Sequence, residues 1–374
     1  MNAKRLIAAG LPMIAVTYGL SRFSYGLMLP YMNETLHMNP STSGMISSLS
    51  YMAYCIAIVF AMAYSNKLSP RTILVIAGLS SVIGLGTIAI SPNAVMLGLG
   101  IFLAGLSTGL SSPPYADIVS TNVKTRLQNQ VNSWINSGTS IGTAFTGAVA
   151  IFLANSWRET YLIFMVIAIF VLMVNVKVLP KRHASEKKES TGFSKKEWGY
   201  AIPLIIASLL IGISCSAYWT FSRDFILNLD HVSSYLGEWL WVIIGIAGLL
   251  GGTAGAFIDK FGVISAYRIS VLALSTASLI LGVEALNNIT DFLSAVLFGG
   301  FYIFMAGVLI VWGISVFKTN ASFGLGVPFL TLALGQAIGS ILSGVIADIV
   351  GYPILFIGAS IIGYITLVFR PKTN

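Results

Sequence analysis

Charge is what this sequence is shortest of. Of its 374 residues only 9% are Asp, Glu, Lys or Arg, against about a quarter in an ordinary soluble domain. So few ionised side chains cannot clothe a chain that is 56% hydrophobic; part of its solvent must be lipid. Cysteine is scarce too. Cys55 and Cys215 fall inside apolar runs, which excludes a disulfide framework and a thiolate metal cluster. His37, His183 and His231 lie far apart, with no HExxH spacing, so no metal site is expected. No glycine-rich phosphate loop ends in Lys-Ser or Lys-Thr. The sequence therefore predicts no cofactor and no enzyme activity, which points away from ATP hydrolysis and towards a carrier driven by a gradient.

What is present is apolar sequence in span-length pieces. Crossing ~30 Å of hydrocarbon takes about 20 helical residues. Twelve such stretches run at 6–32, 43–65, 71–91, 94–119, 129–154, 159–179, 199–228, 233–258, 264–286, 290–317, 322–348 and 352–370. The first begins "MNAKRLIAAGLPMIAV", basic then apolar as in a secretory signal. It stays apolar to residue 32 without a small-residue cleavage site, so it reads as a span. The expected class is an all-α membrane protein with 12 transmembrane helices. One connection is long and polar: "KRHASEKKESTGFSKKEW", 181–198. It separates a six-helix bundle at 1–180 from another at 199–374 and reads as a solvated linker.

The net charge of +8 follows topology. With the N-terminus inside, the inner loops and tails hold Lys4, Arg5, Lys67, Arg71, Lys124, Arg126, Lys177, the linker's basic residues, Lys260, Arg268, Lys318, Arg370 and Lys372. The outer loops hold almost none, Arg158 being the exception. Positive residues stay on the cytoplasmic side of a membrane, so both termini are expected in the cytoplasm of a cell-membrane protein. No nucleic-acid patch is needed to explain the charge.

The halves repeat. "GTSIGTAFTG" (138–147) matches "GQAIGSILSG" (335–344), glycine for glycine. "NKLS" at 66–69 stands where "DKFG" stands at 259–262, and "LSRF" at 20–23 pairs with "FSRD" at 221–224. Six-plus-six repeats belong to transporters, with the substrate near the bilayer midplane. Close helix packing through small residues accounts for the glycines by itself.

Over nearly its whole length the chain resembles the major facilitator superfamily. The resemblance is carried by "GAFIDKFG" (255–262), "SWRETY" (156–161) and the glycine-rich fifth and eleventh spans. It implies two pseudo-symmetric six-helix bundles and transport by alternating access. It also implies that Gly255, Asp259, Lys260 and Gly262 latch the cytoplasmic side. The first-half copy of that loop has Met62, Asn66 and Ser69 where the family has glycine, acid and glycine. Span five carries the glycines of the family's antiporter signature without its terminal proline.

Two arginines interrupt the apolar helices at repeat-related positions, Arg22 in span one and Arg223 in span seven. An intramembrane charge is costly and usually marks a substrate or ion path. Two guanidiniums make a forked site for a carboxylate or phosphate, and the family's organophosphate antiporters place an arginine on each of these helices. Alternatively each is a strut neutralised by a carboxylate, for which Asp224 and Glu238 are at hand. Tyr18, Arg22 and Tyr25 fall at i, i+4, i+7 of an α-helix, and Tyr218 and Trp219 precede Arg223; such rings suit an organic solute. Asn132 and Asn136 on span five line the same site or join helices. Glu238, with Asp224 beside Arg223, is the candidate for proton coupling or for a permanent ion pair; Asp117 and Glu284 are the other carboxylates within spans. "SSPPY" (111–115) is expected to break span four.

The leading expectation is a secondary transporter, likened to antiporters and working as a monomer in the bilayer, for a small anionic or zwitterionic solute. A proton-coupled exporter of drugs or metabolites with structural arginines is the alternative within that class. A non-transporting receptor or scaffold is the alternative outside it.

Overall fold

The computed structural model describes residues 3–64, 67–153, 156–180, 195–229, 234–283, 288–318 and 321–371. Most of the linker, His183, His231, Glu284 and Asn66 lie outside that set. Among the described residues the chain is helical, with no strand. The first helices are α1 (Ala3–Ile14), a π-helix (Ala15–Phe23), α2 (Ser24–Leu36), α3 (Pro40–Tyr64), α4 (Pro70–Ala89) and α5 (Ala94–Asn122). They are followed by α6 (Thr125–Asn136), α7 (Gly138–Leu153) and α8 (Trp157–Val178). After the linker come α9 (Lys195–Leu227), α10 (Ser234–Gly248), a 3-10 turn (Leu249–Thr253) and α11 (Ala254–Gly282). The last are α12 (Asn288–Val316), α13 (Ala321–Val350), α14 (Tyr352–Ile365) and a closing 3-10 turn (Thr366–Val368).

Nine segments among the described residues are long and apolar enough to cross a membrane. One of them, Trp239–Gly282, is 44 residues long and holds the expected spans eight and nine. The chain turns between these at Gly262, whose φ of 81° and ψ of 157° are non-helical. A side chain there would be strained, so the glycine of "DKFG" is a backbone requirement. The expected span five is divided between α6 and α7 at Ser137, and the last span is the shorter apolar helix Tyr352–Val368. Large apolar side chains such as Ile56, Phe170 and Ile354 are exposed, as befits helices solvated by lipid tails. The expected break in span four is absent. α5 continues through Pro113 and Pro114 to Asn122.

The helices form two compact units, Met1–Met38 with Leu49–Lys187, and Asn39–Ser48 with Lys188–Asn374. The start of α3 thus groups with the second unit. Glycine explains how: a Cβ at Gly44 would lie 2.9 Å from the Gly344 Cα, so α3 and α13 touch backbone to backbone. Asn39 Nδ2 (2.9 Å) and Ser41 Oγ (2.6 Å) both donate to the Asp348 carboxylate.

Within the first unit the π-helix and its flanks are threaded through the core by hydroxyl contacts. Thr17 meets Ser111 at 3.1 Å, Ser21 meets Ser81 at 2.6 Å, and Ser24 meets the Tyr161 hydroxyl at 3.0 Å. Tyr115 donates to Asn175 Oδ1, while Asn175 Nδ2 donates to the carbonyls of Ala9 (3.1 Å) and Val171 (2.9 Å). The fully buried Asn175 therefore ties α1, α5 and α8 together. Asn175→Leu leaves the Tyr115 hydroxyl buried without that acceptor. Its expected cost is about 1–3 kcal/mol, read as a lower unfolding temperature of the detergent-purified protein with Val176→Leu as the exposed control. Arg158, expected from the sequence in an outer loop, lies in the first turn of α8, donates to the Ser91 carbonyl just past the end of α4 (2.9 Å) and covers the Trp157 ring.

The repeat is visible in the packing of each unit. In the first, a Cβ at Gly142 would meet the Ala15 carbonyl oxygen at 2.5 Å, and one at Gly138 the Ala15 nitrogen at 3.0 Å. In the second, one at Gly335 would clash with the Leu209 carbonyl, and one at Gly339 would lie 2.7 Å from the Ile213 Cα. The matching glycine runs hold α7 against the first span and α13 against α9.

Candidate functional site

Four charged side chains are buried among the described residues: Arg22 in the first unit, and Arg223, Asp224 and Asp291 in the second. Arg22 is 8% exposed and stands in the last turn of the π-helix. That register overturns the expected stripe. In an α-helix Tyr18, Arg22 and Tyr25 share a face, but π hydrogen bonds run from i to i+5, which moves the neighbour of each residue one place along. Tyr18 accordingly meets Phe23, with ring centroids 6.5 Å apart, and its hydroxyl pairs with Ser112 at 3.0 Å. Tyr25 is buried in α2.

The rings over Arg22 come from α3. Its guanidinium carbon lies 4.7 Å from the Tyr51 centroid, 4.6 Å from that of Tyr54 and 5.5 Å from that of Phe23. Each such contact stabilises a desolvated cation by about 0.5–2 kcal/mol. Three together are comparable with the ~2.5–3.5 kcal/mol of placing arginine at membrane depth. The pair passed unnoticed in the sequence. Its signal was the i, i+3 spacing of Tyr51 and Tyr54 in "SYMAYC".

In the second unit Arg223 is fully buried in α9. α10 makes room for it at Gly237, where an added Cβ would lie 3.1 Å from Arg223 Nε. Asp224 is buried beside it and its carboxylate accepts from the Tyr352 hydroxyl of α14. Asp291, in the first turn of α12, is fully buried as well. The expected span 290–317 contains it at its second position, yet it was not counted among the carboxylates within spans. The side chain of Glu238 lies outside the described residues.

Tyr218 and Trp219 sit in an aromatic core. Tyr218 stacks on Phe298 with centroids 3.8 Å apart, and its hydroxyl meets Ser294 Oγ at 2.8 Å. Trp219 meets Trp241, Phe298 and Tyr302 edge to face at 5.2–6.1 Å. Gln336 donates to the Tyr302 hydroxyl at 2.9 Å. Asn132 is half-buried and Asn136 exposed on α6, which ends before the turn at Ser137. Gly255, Asp259, Lys260 and Gly262 are all exposed around the turn at Gly262, with Lys260 Nζ 5.1 Å from the Phe261 centroid.

The family model of the Major Facilitator Superfamily matches residues 13–327. No curated protein matches the chain in sequence. Among solved structures it is similar to the nucleoside transporter NupG, at 16% identity and a TM-score of 0.76, covering 99% of each chain. It is also similar to the xylose transporter XylE from E. coli in a partially occluded inward open conformation. The identity there is 14% and the TM-score 0.78, with 98% of this chain and 96% of that one covered. A POT family transporter in complex with 5-aminolevulinic acid matches at 15% identity and a TM-score of 0.78, over 98% and 96% of the two chains.

Proposed function

Because the chain belongs to the Major Facilitator Superfamily, we propose that it is a secondary transporter of a small organic anion or zwitterion, working by alternating access in the cytoplasmic membrane. The observation that carries this reading is one buried arginine in each unit, Arg22 and Arg223, at repeat-related positions of otherwise apolar helices. A buried cation kept in both copies of a repeat suits an anionic group better than it suits packing. Asp224 and Glu238 are the groups proposed to couple transport to protons, and Asp259 and Lys260 the cytoplasmic latch. The fold leaves the solute open, since its structural neighbours are a nucleoside transporter, a xylose transporter and a protein in complex with 5-aminolevulinic acid. The last solute carries both an amine and a carboxylate, in keeping with a zwitterion here.

A second reading has its own support. Arg223 is fully buried with two buried acids in its unit, which favours an electrical strut there and an exporter lined by aromatic walls. The two readings separate in proteoliposomes offered a panel of labelled carboxylates and phosphates, with counterflow as the readout. Arg22→Gln and Arg223→Gln are each expected to abolish counterflow of whichever anion the wild type carries. Undiminished counterflow by both variants sinks the anion site.

A further inference from the structure

Away from the candidate site, two cations stand where two membrane helices end side by side. Arg71 is the second residue of α4 and Lys177 the last but one of α8. The two helices pack closely, since a Cβ at Gly78 would lie 2.6 Å from Leu172 Cδ1. Arg71 Nη2 donates to the Val176 carbonyl, one of the four at a helix end that lack a partner within the helix. This bond holds the guanidinium at the turn that carries Lys177. Being made to a neutral group, it cancels no charge. Among the described residues Arg71 makes no other hydrogen bond, and neither it nor the exposed Lys177 enters an ion pair. Arg71 Nε and Nη1 are thus left for a ligand. Val166, Phe170 and Met173 precede Lys177 by eleven, seven and four residues, on one stripe of α8, and all three are exposed. We propose that Arg71 and Lys177 bind the headgroup of an anionic phospholipid, with a tail along Val166, Phe170 and Met173.

Topology alone asks only that cations be numerous on the cytoplasmic side. It does not ask that one be fixed across a helix seam at the head of a stripe that faces lipid. On the orientation expected from the charges, this end of α4 and α8 lies in the cytoplasmic leaflet, where anionic lipids attract Lys and Arg. A phosphodiester offers two free oxygens and one negative charge. The open edge of the Arg71 fork matches that pair of oxygens. Lys177, a point charge on a flexible stem, reaches the same group from α8. A zwitterionic lipid has the same phosphate, but its ammonium would enter a site that holds two cations. Free phosphate is disfavoured for another reason. A lipid in the bilayer reaches the cations at high effective concentration, whereas the ion must come from water.

The test counts the lipids retained by the full detergent-purified chain in native mass spectrometry, titrated with phosphatidylglycerol or phosphatidylcholine. Phosphatidylglycerol is expected to bind about fivefold more tightly. Arg71→Gln and Lys177→Gln are each expected to weaken it about fivefold, the effect of one cationic residue at an anionic surface. Lys124→Gln removes an equal charge from the exposed position before α6 and is expected to stay within about twofold of wild type. If loss of the Val176 bond unfolds Arg71→Gln, Lys177→Gln carries the test by itself. Equal retention of the two lipids by wild type overturns the site, and so does wild-type affinity in Lys177→Gln. A loss as large in Lys124→Gln reduces the effect to bulk charge and overturns it too. Displacement of the lipid by equimolar inorganic phosphate assigns the cations to a free anion and overturns the lipid site.

Discussion

Gly335→Ala is expected to destabilise the second unit by about 3 kcal/mol, the upper part of the usual range for overpacking. The added methyl would meet backbone. It would clash with the Leu209 carbonyl oxygen and lie 3.1 Å from the Gly212 Cα. The contact is reciprocal, since a Cβ on Gly212 would lie 2.9 Å from the Gln336 nitrogen and 3.0 Å from the Gly335 Cα. A side chain in the way can change rotamer, but a helix backbone can only withdraw along its whole length. α9 and α13 would have to part, loosening the contacts that seat Gln336 and Ser340 in the core. Gly358→Ala is the control, because nothing lies within 4 Å of a Cβ there. In a helix that change is expected to be neutral or to stabilise by up to ~1 kcal/mol, as alanine gives up less backbone freedom. Thermal unfolding monitored by size exclusion ranks the two against wild type; equal stability of Gly335→Ala refutes so close a crossing.

This crossing was legible in the sequence because glycine at four-residue spacing has one simple physical use between helices, and the run occurs twice. The arginines were legible for a similar reason, a charge being conspicuous against an apolar background. What surrounds Arg22 was not. The prediction that Tyr18 and Tyr25 flank it assumed α-helical geometry, and residues 15–23 adopt a π register that no local pattern announces. Tyr51 and Tyr54, which cover it instead, come from another helix, and a pairing between helices leaves no mark in either one's periodicity. Asp291 was passed over because it stands at the outset of the expected span 290–317, behind two asparagines, where a charge reads as a span end, whereas the chain is already helical from Asn288 and buries it. The turn between spans eight and nine, by contrast, was legible: the expected spans stop at 258 and resume at 264, and Asp259 and Lys260 mark the interval in which Gly262 takes its non-helical backbone.

Arg223→Gln is expected to cost about 3–5 kcal/mol, the loss found when one member of a buried charge set is removed. The buried charges among the described residues of the second unit are Arg223, Asp224 and Asp291. Without the guanidinium two carboxylates stay in the core with no buried cation among the described residues of that unit, and a buried charge left less compensated is costly. Of the two acids, Asp224 accepts a hydrogen bond from Tyr352, so an amide at that position would disturb a working acceptor. Asp291 is the better place to remove the charge. The double variant Arg223→Gln with Asp291→Asn is expected to recover most of the lost stability, because the amide keeps the shape and drops the charge. Transport decides what the arginine is for. If Arg223 holds the solute, the double variant folds like wild type and carries nothing, since the fork of donors is still missing. If Arg223 is a strut, restoring the electrical balance restores counterflow along with stability, and the solute's anionic group then depends on Arg22 alone.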